Sequence, residues 1–384
     1  MSVSQNANKL CIIFVCTCGH ARAHIKIKNL YRVSAFSGKN CQFEGTTPEW
    51  TSSATLLGVL FDAKLSFKEE LSRIANKTYV RTFRVFNHVD WVNGLSVSKL
   101  LEIYSTWIDP VLSYGSAVWI FQIFPDIRLQ CNISYGYTEY WNALHREFRG
   151  LMRGIAGVSK RTNFNAVLVR LGVLPLHYTL AAKAMAEYYR IFSGKAGPAM
   201  TSLLDSFDKN ESEWKQTRFF VSAHKNILYF QDFVEETLLE APSSEVFSTR
   251  LRRAMYAETT ASWQRQGKAD FTKQILPIWC ETQFEHPLSK ATETVLIKSC
   301  FTQNYTRSFL AMHSTSDTKC RLCKNAPETI EHLFLYCPEV ETEREKLRKA
   351  MNGKEFNLKS ILGTKENIRS TEVFISRSNF SALL

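Results

Sequence analysis

No stretch of this 384-residue chain approaches the ~20 consecutive apolar residues of a membrane-spanning helix, so no membrane partner is expected. A glycine-rich phosphate loop of the Walker or Rossmann kind is also missing. The glycines of RGLMRGIAG (149–157) follow no strand-like run. There is no internal repeat, and no two aspartates are adjacent. The ten cysteines form no disulfide framework for a chain this long. Cys11, Cys16, Cys18, Cys41, Cys131, Cys280 and Cys300 are scattered, which points to a reducing, intracellular setting, nuclear or cytoplasmic. Acid is scarcer than base: 36 Asp and Glu against 48 Lys and Arg, a formal charge of +12. That excess favours a polyanion, most often nucleic acid, and says nothing of sequence preference.

Other catalytic arrangements find little support. Cys16, Cys18, His20 and His24 lie close in sequence, but C-x-C is not a usual zinc spacing, and buried-strand cysteines are the simpler reading. Cys11 has no visible base. Asp62 and Asp109 are lone carboxylates that suit caps or turns. Asn8–Ala23 has a lysine, a short apolar run (Leu10–Cys16) and an A-x-A-like end, so a signal peptide and a buried strand both fit, the strand better.

What is present is a core. The chain is 45% hydrophobic and 12% aromatic, which argues against disorder along most of its length. Residues 1–62 read as short strands and loops, with a Gly/Ser/Thr/Pro-rich linker between them. From Ser66 the period becomes helical. Leu71, Ala75, Tyr79, Phe83 and Phe86 share one face of the first helix, and Arg73, Lys77, Arg81 and Arg84 share another. A solvated face and a phosphate-binding stripe both fit, and the stripe is favoured. Ser96 or Ser98 would cap a second helix, in which Leu100, Ile103, Tyr104, Trp107 and Ile108 form a buried stripe and Pro110 a kink. In the third helix Leu144, Phe148, Leu151 and Ile155 face inward, while Arg146, Arg149 and Arg153 recur outside. Gly154 and Gly157 would stop it, and Lys160 and Arg161 follow in a loop. A short helix, a Gly-Val-Leu-Pro turn and an Ala-rich helix come next. Residues 194–245 are weakly patterned, 246–313 are again helical, and no clear signal follows 353.

The expected fold is therefore mainly α with a small N-terminal β region. Strands occupy 1–62, a helical bundle 63–195, a helical connector of uncertain fold 196–312, a metal element 313–352 and a tail 353–384. That element is CRLCKNAPETIEHLFLYC, Cys320 to Cys337. Cys320 and Cys323 form a C-x2-C pair, and His332 and Cys337 sit in TIEHLFLYC, which reads as one or two helical turns. Three thiolates and one imidazole suit a closed tetrahedral zinc site with no position for a catalytic water. Leu322, Ile330, Leu333, Phe334 and Leu335 supply a mini-core too small to hold without metal. Phe334 suits that core better than a base-stacking role.

Four pieces occur in one order: LLGVLFDAKLSFKEELSRI (Leu56–Ile74), LLEIYSTWIDPVLSYGSAVW (Leu100–Trp119), LGVLPL (Leu171–Leu176) and the metal element ending EHLFLYCPEVETERE. Together they resemble the C-terminal half of a non-LTR (LINE-type) retrotransposon reverse transcriptase: the end of the palm, a thumb and a zinc element. MSVSQNANKLCIIF resembles the palm segment just after the catalytic loop. The resemblance covers most of 1–195 and 290–350, and 196–290 match poorly. Leu56 stands where that family commonly has tyrosine, and the 33–55 linker departs from it. The resemblance implies a thumb-like bundle that grips RNA or an RNA–DNA duplex. The family's polymerase holds two Mg²⁺ ions on palm aspartates. With no Asp-Asp pair here, Mg²⁺ is expected only in a complete polymerase. A palm supplied in trans by another chain, and a decayed element acting as a non-catalytic interaction protein, remain open.

Overall fold

The computed structural model describes residues 11–12, 25–27, 50–51, 53–62, 65–87, 95–128, 133, 136–194, 218–265, 271–276, 290–301, 306–311, 317–363 and 365–383. Cys16, Cys18, His20 and His24, most of the signal-like stretch and the Phe86 side chain lie outside those residues. The described chain is mostly helical, with small antiparallel sheets at its N-terminal end. Strands β1 (Cys11–Ile12), β2 (Ile25–Ile27) and β3 (Trp50–Thr51) pair in that order. Strands β4 (Ser53–Leu56) and β5 (Val59–Asp62) form a hairpin in the register Leu56 opposite Val59.

The apolar run ATLLGVLF is thus two strands around a two-residue turn. Leu57 and Gly58 both take positive φ, +47° and +82°, the conformation that closes a tight hairpin. Asp62 then ends β5: its carboxylate accepts the Ser66 and Phe67 N–H groups at 3.0 and 2.7 Å, a turn role as expected.

Helix α1 (Lys68–Asn87) packs along α5 (Thr138–Ala156). Its buried residues are Glu70, Leu71, Ile74, Ala75 and Thr78. Tyr79 and Phe83, expected on that inner face, are each 55% exposed and stack on one another at 6.2 Å. In α5 the expected inner residues Leu144, Phe148, Leu151 and Ile155 are all buried. The helix runs through Gly154 and ends at Gly157, whose φ of +64° makes the left-handed cap.

The second helix breaks into three. Helix α2 (Val97–Ile103) is capped by Ser96 Oγ, which accepts the Lys99 N–H. A π-helical turn, Tyr104–Ile108, follows, then α3 (Asp109–Ser113) with Pro110 at its start. Proline offers no N–H and crowds the preceding turn, and the widened turn absorbs the misfit. Trp107 is consequently 57% exposed, not buried, while Leu100, Tyr104 and Ile108 keep to the core.

Helices α4 (Ser116–Ile123), α6 (Phe164–Leu171) and α7 (Leu176–Phe192) complete this part. Helices α8 (Arg218–Gln231) and α9 (Ser244–Arg265) pack directly on α7, and α8 also touches α4. The boundary expected at 195 therefore falls inside one continuous apolar core. Short helices α10 (Phe271–Ile275), α11 (Lys290–Ser299) and α12 (Arg307–Ala311) lead to the C-terminal lobe. Helix α11 also reaches back to the bundle: the buried Glu293 carboxylate accepts the Val97 N–H of α2 at 2.6 Å.

The tail, patternless in sequence, is ordered. Beyond α13 (Glu341–Ala350) come α14 (Leu358–Gly363), α15 (Ile368–Arg377) and a 3₁₀ turn, Phe380–Leu383. No single helix among the described residues is long and apolar enough to cross a membrane. The α6–α7 pair reaches that length together, but it bends by 57° and its apolar residues face the core.

Candidate functional sites: a metal cluster and a basic groove

Cys320, Cys323, His332 and Cys337 converge, their ligand atoms all within 4.8 Å of one another. Two local structures bring them together. After Cys320 the chain turns back, with Lys324 N–H donating to Cys320 O at 2.9 Å and Cys320 N–H to Ala326 O at 2.8 Å. Lys324 takes φ +60° to close that turn. The second pair lies on a π-helical turn, His332–Tyr336, not on an α-helix. Its bond from Cys337 N–H to His332 O, 2.6 Å, stacks residues five apart on one side. The H-x4-C spacing is thereby met.

The donors suit a tetrahedral ion. Zn–S bonds of ~2.3 Å place sulfur ligands about 3.8 Å apart. Cys320 Sγ and Cys337 Sγ lie 3.9 Å apart, and Cys323 Sγ is 3.2 Å from His332 Nε2. Burial, with help from the Arg344 charge, lowers the His332 pKa and keeps the imidazole neutral, as a ligand must be. Burial pushes the Cys337 thiol up to about 12, with the neighbouring Cys320 and Cys323 adding to it. Burial also opposes ionisation of Cys323, but the Asn325 and Ala326 N–H groups outweigh it and lower that thiol. A bound cation would displace these protons.

Around the cluster sits a core larger than the sequence suggests. Phe334 is fully buried and packs on Phe374 and Phe380 from the tail, at 5.8 and 5.2 Å. Tyr336 is 69% exposed. Two arginines hold the lobe. Arg321 grips the buried Glu328 carboxylate at 2.7 Å and donates to Leu383 O at 2.7 Å. Arg344, 1% exposed, donates to the carbonyls of Phe334 and Cys337 and pairs with Glu341. Spacing allows the Arg344–Glu341 pair but gives no sign of the rest, because the other Arg344 acceptors are main-chain carbonyls and the Arg321 contact at Leu383 lies far along the chain.

The cations of α1 gather in one place. Arg73, Lys77, Arg81 and Arg84 line a groove of about 820 Å³ whose opposite wall is Trp107, Pro110, Val111 and Tyr114. Lys77 and Arg84 are exposed and have no ion-pair partner among the described residues. Arg81 spans the groove and donates to Trp107 O at 3.1 Å. Arg73 differs. It bonds the buried Glu70 carboxylate at 2.6 Å and also donates to Gly58 O, so its charge is committed within the fold. Glu70 in turn accepts Leu60 N–H at 3.0 Å, tying α1 to the hairpin.

The α5 cations line no part of that groove. Arg146 is exposed and sits 3.4 Å from Glu147. Arg149 and Arg153 are half-buried, and their Nε atoms find no hydrogen-bond partner. Arg153 donates instead to Thr162 O at 3.0 Å and lies over the Phe164 ring. Lys160 and Arg161 are exposed in the following loop. Beneath the arginines, His145 is lowered to about 4 by burial and then by Arg149 and Arg153. Trp107 and Tyr114 are groove residues that the sequence reading did not single out as a site. Their signal is the i, i+7 spacing of two large aromatics flanking Pro110.

No family model, no curated protein and no solved structure matches this chain.

Proposed function

We propose that the chain is the thumb-like and zinc-element part of a non-LTR retrotransposon RNA-directed DNA polymerase, and that it binds nucleic acid without carrying the polymerase's catalytic aspartates. The observation that carries this reading is the groove, where Lys77, Arg81 and Arg84 stand exposed along one wall. The four ordered sequence pieces and the +12 charge support it. The groove cations hold RNA or an RNA–DNA duplex by its phosphates, and each one that displaces a counterion adds salt-dependent affinity. Arg146, Lys160 and Arg161 extend the contact along the α5 corner. Arg73 positions the hairpin and touches no phosphate. Mg²⁺ enters only in the complete polymerase.

The Cys320–Cys323–His332–Cys337 cluster holds one structural zinc. Four protein ligands close the coordination sphere, so the ion folds the lobe and activates no water. Metal analysis of the purified chain should return one zinc per molecule. RNA binding is tested by fluorescence anisotropy across a salt series. Affinity should fall steeply with salt, and the slope should shrink when Lys77 or Arg84 becomes glutamine. Affinity indifferent to salt ends the phosphate-grip reading.

A further inference from the structure

We infer that the groove between α1 and α3 takes an unpaired stretch of nucleic acid, bases against Trp107 and Tyr114, phosphates against Lys77, Arg81 and Arg84. This rests on the reading of the groove as a nucleic-acid site and names the form of strand it selects. The argument starts from the walls. One presents cations at i, i+4 and i+7 of α1 and the other presents two large rings seven residues apart across Pro110. An unpaired strand has that same division, a charged edge and an edge of free planar bases. A duplex keeps its bases stacked and paired inside, and rings in a groove wall cannot reach their faces.

Both rings are exposed, and that of Tyr114 is also held. Trp107 is 57% and Tyr114 53% exposed. The Tyr114 hydroxyl donates to Leu57 O at the hairpin tip. Its ring lies against Gly58, where even a Cβ would come within 3.2 Å of it, so residue 58 is glycine for space as well as for φ +82°. Trp107 is turned outward by the π-helical turn before Pro110, and its carbonyl anchors Arg81 beside it. A ring fixed before binding, as that of Tyr114 is, loses little freedom on contact. Among the described residues Glu70 is the one acidic residue lining the groove, and Arg73 with Leu60 N–H occupies its carboxylate. No other acid in the described lining repels a phosphate.

The test measures binding of the full chain to four probes of equal length: single-stranded RNA, its blunt duplex, an abasic single-stranded oligonucleotide, and poly-glutamate. The expected order places the base-bearing single strand first. Trp107→Ala should weaken that complex about tenfold while leaving its salt slope unchanged. Trp107→Phe should restore most of the loss. The abasic strand should bind weakly and respond little to Trp107→Ala, because it has no base to stack. Should the duplex bind as tightly as the single strand, with both blind to Trp107→Ala, the inference fails and the phosphate reading survives. Should only poly-glutamate bind, in a Trp107-dependent way, the groove is a site for acidic protein and both readings fail.

Discussion

The metal lobe and the α1 groove use arginine in opposite ways. In the lobe, Arg344 is buried and its guanidinium is consumed by two carbonyls and Glu341. In the groove, Arg84 has no ion-pair partner among the described residues and Lys77 is equally free. A buried cation with its hydrogen bonds filled stabilises a fold and is closed to ligands. An exposed, unpaired one adds almost nothing to stability and remains available. Arg73 shows that location alone does not decide: it lines the groove yet behaves like the arginines of the lobe. Net charge counts all of these alike, so it overstates what a polyanion can touch.

The comparison breaks most visibly at the metal. Chelation, or Cys320→Ser, should unfold 317–383 as a unit while helices α1 to α7 persist, since structural zinc contributes on the order of 10 kcal/mol. Limited proteolysis with circular dichroism reads this, and a lobe equally protected without metal counts against the assignment. Next in size, Arg344→Met should cost about 3 kcal/mol in denaturant unfolding, because Phe334 O, Cys337 O and Glu341 lose their partner. Arg84→Met should stay within ~0.5 kcal/mol. Similar costs for the two would erase the distinction.

Acid separates the regions less sharply. Burial, together with the Arg149 and Arg153 charges, holds His145 at about 4, and burial holds His177 at about 4. Both values lie below the ~6.5 of an unfolded histidine, so the unfolded chain takes up protons first. The bundle's stability should be full above about pH 6.5 and fall towards pH 4, by up to ~1.4 kcal/mol per pH unit for each histidine. His177→Gln should flatten that fall, and an unchanged pH profile would show that His177 takes up its proton as readily in the fold as in the unfolded chain. The smallest effect is on the salt slope of RNA binding. Lys77→Gln should lower it by about one, whereas Arg73→Gln should lower stability and leave the slope nearly alone. The reverse pattern would make Arg73 the phosphate contact.

Most of the element order is legible in the sequence, because helical spacing in 138–156 and 164–192 is reinforced by caps that the sequence names. The metal cluster was legible too, since four ligand types at fixed spacing have few other uses. What escaped notice depends on distant partners. Trp107 follows a helical stripe on paper, but Pro110 widens the turn and rotates it outward. Tyr79 and Phe83 lie on an apolar arc that the described residues leave more than half exposed. In the tail Thr371, Phe374 and Ile375 share one buried face, but the helix is short and the partner of Phe374 and Phe380 is Phe334, far back in the chain.

The bond from Val97 N–H to Glu293 sets an order of events during synthesis. The acceptor leaves the ribosome 196 residues after the donor, which at ~5–20 residues per second is a wait of about 10–40 s. Until then the start of α2 lacks that partner. A nascent or prematurely terminated chain ending before Glu293 would therefore carry an unfinished bundle, exposed to chaperones and proteases however well its own helices form.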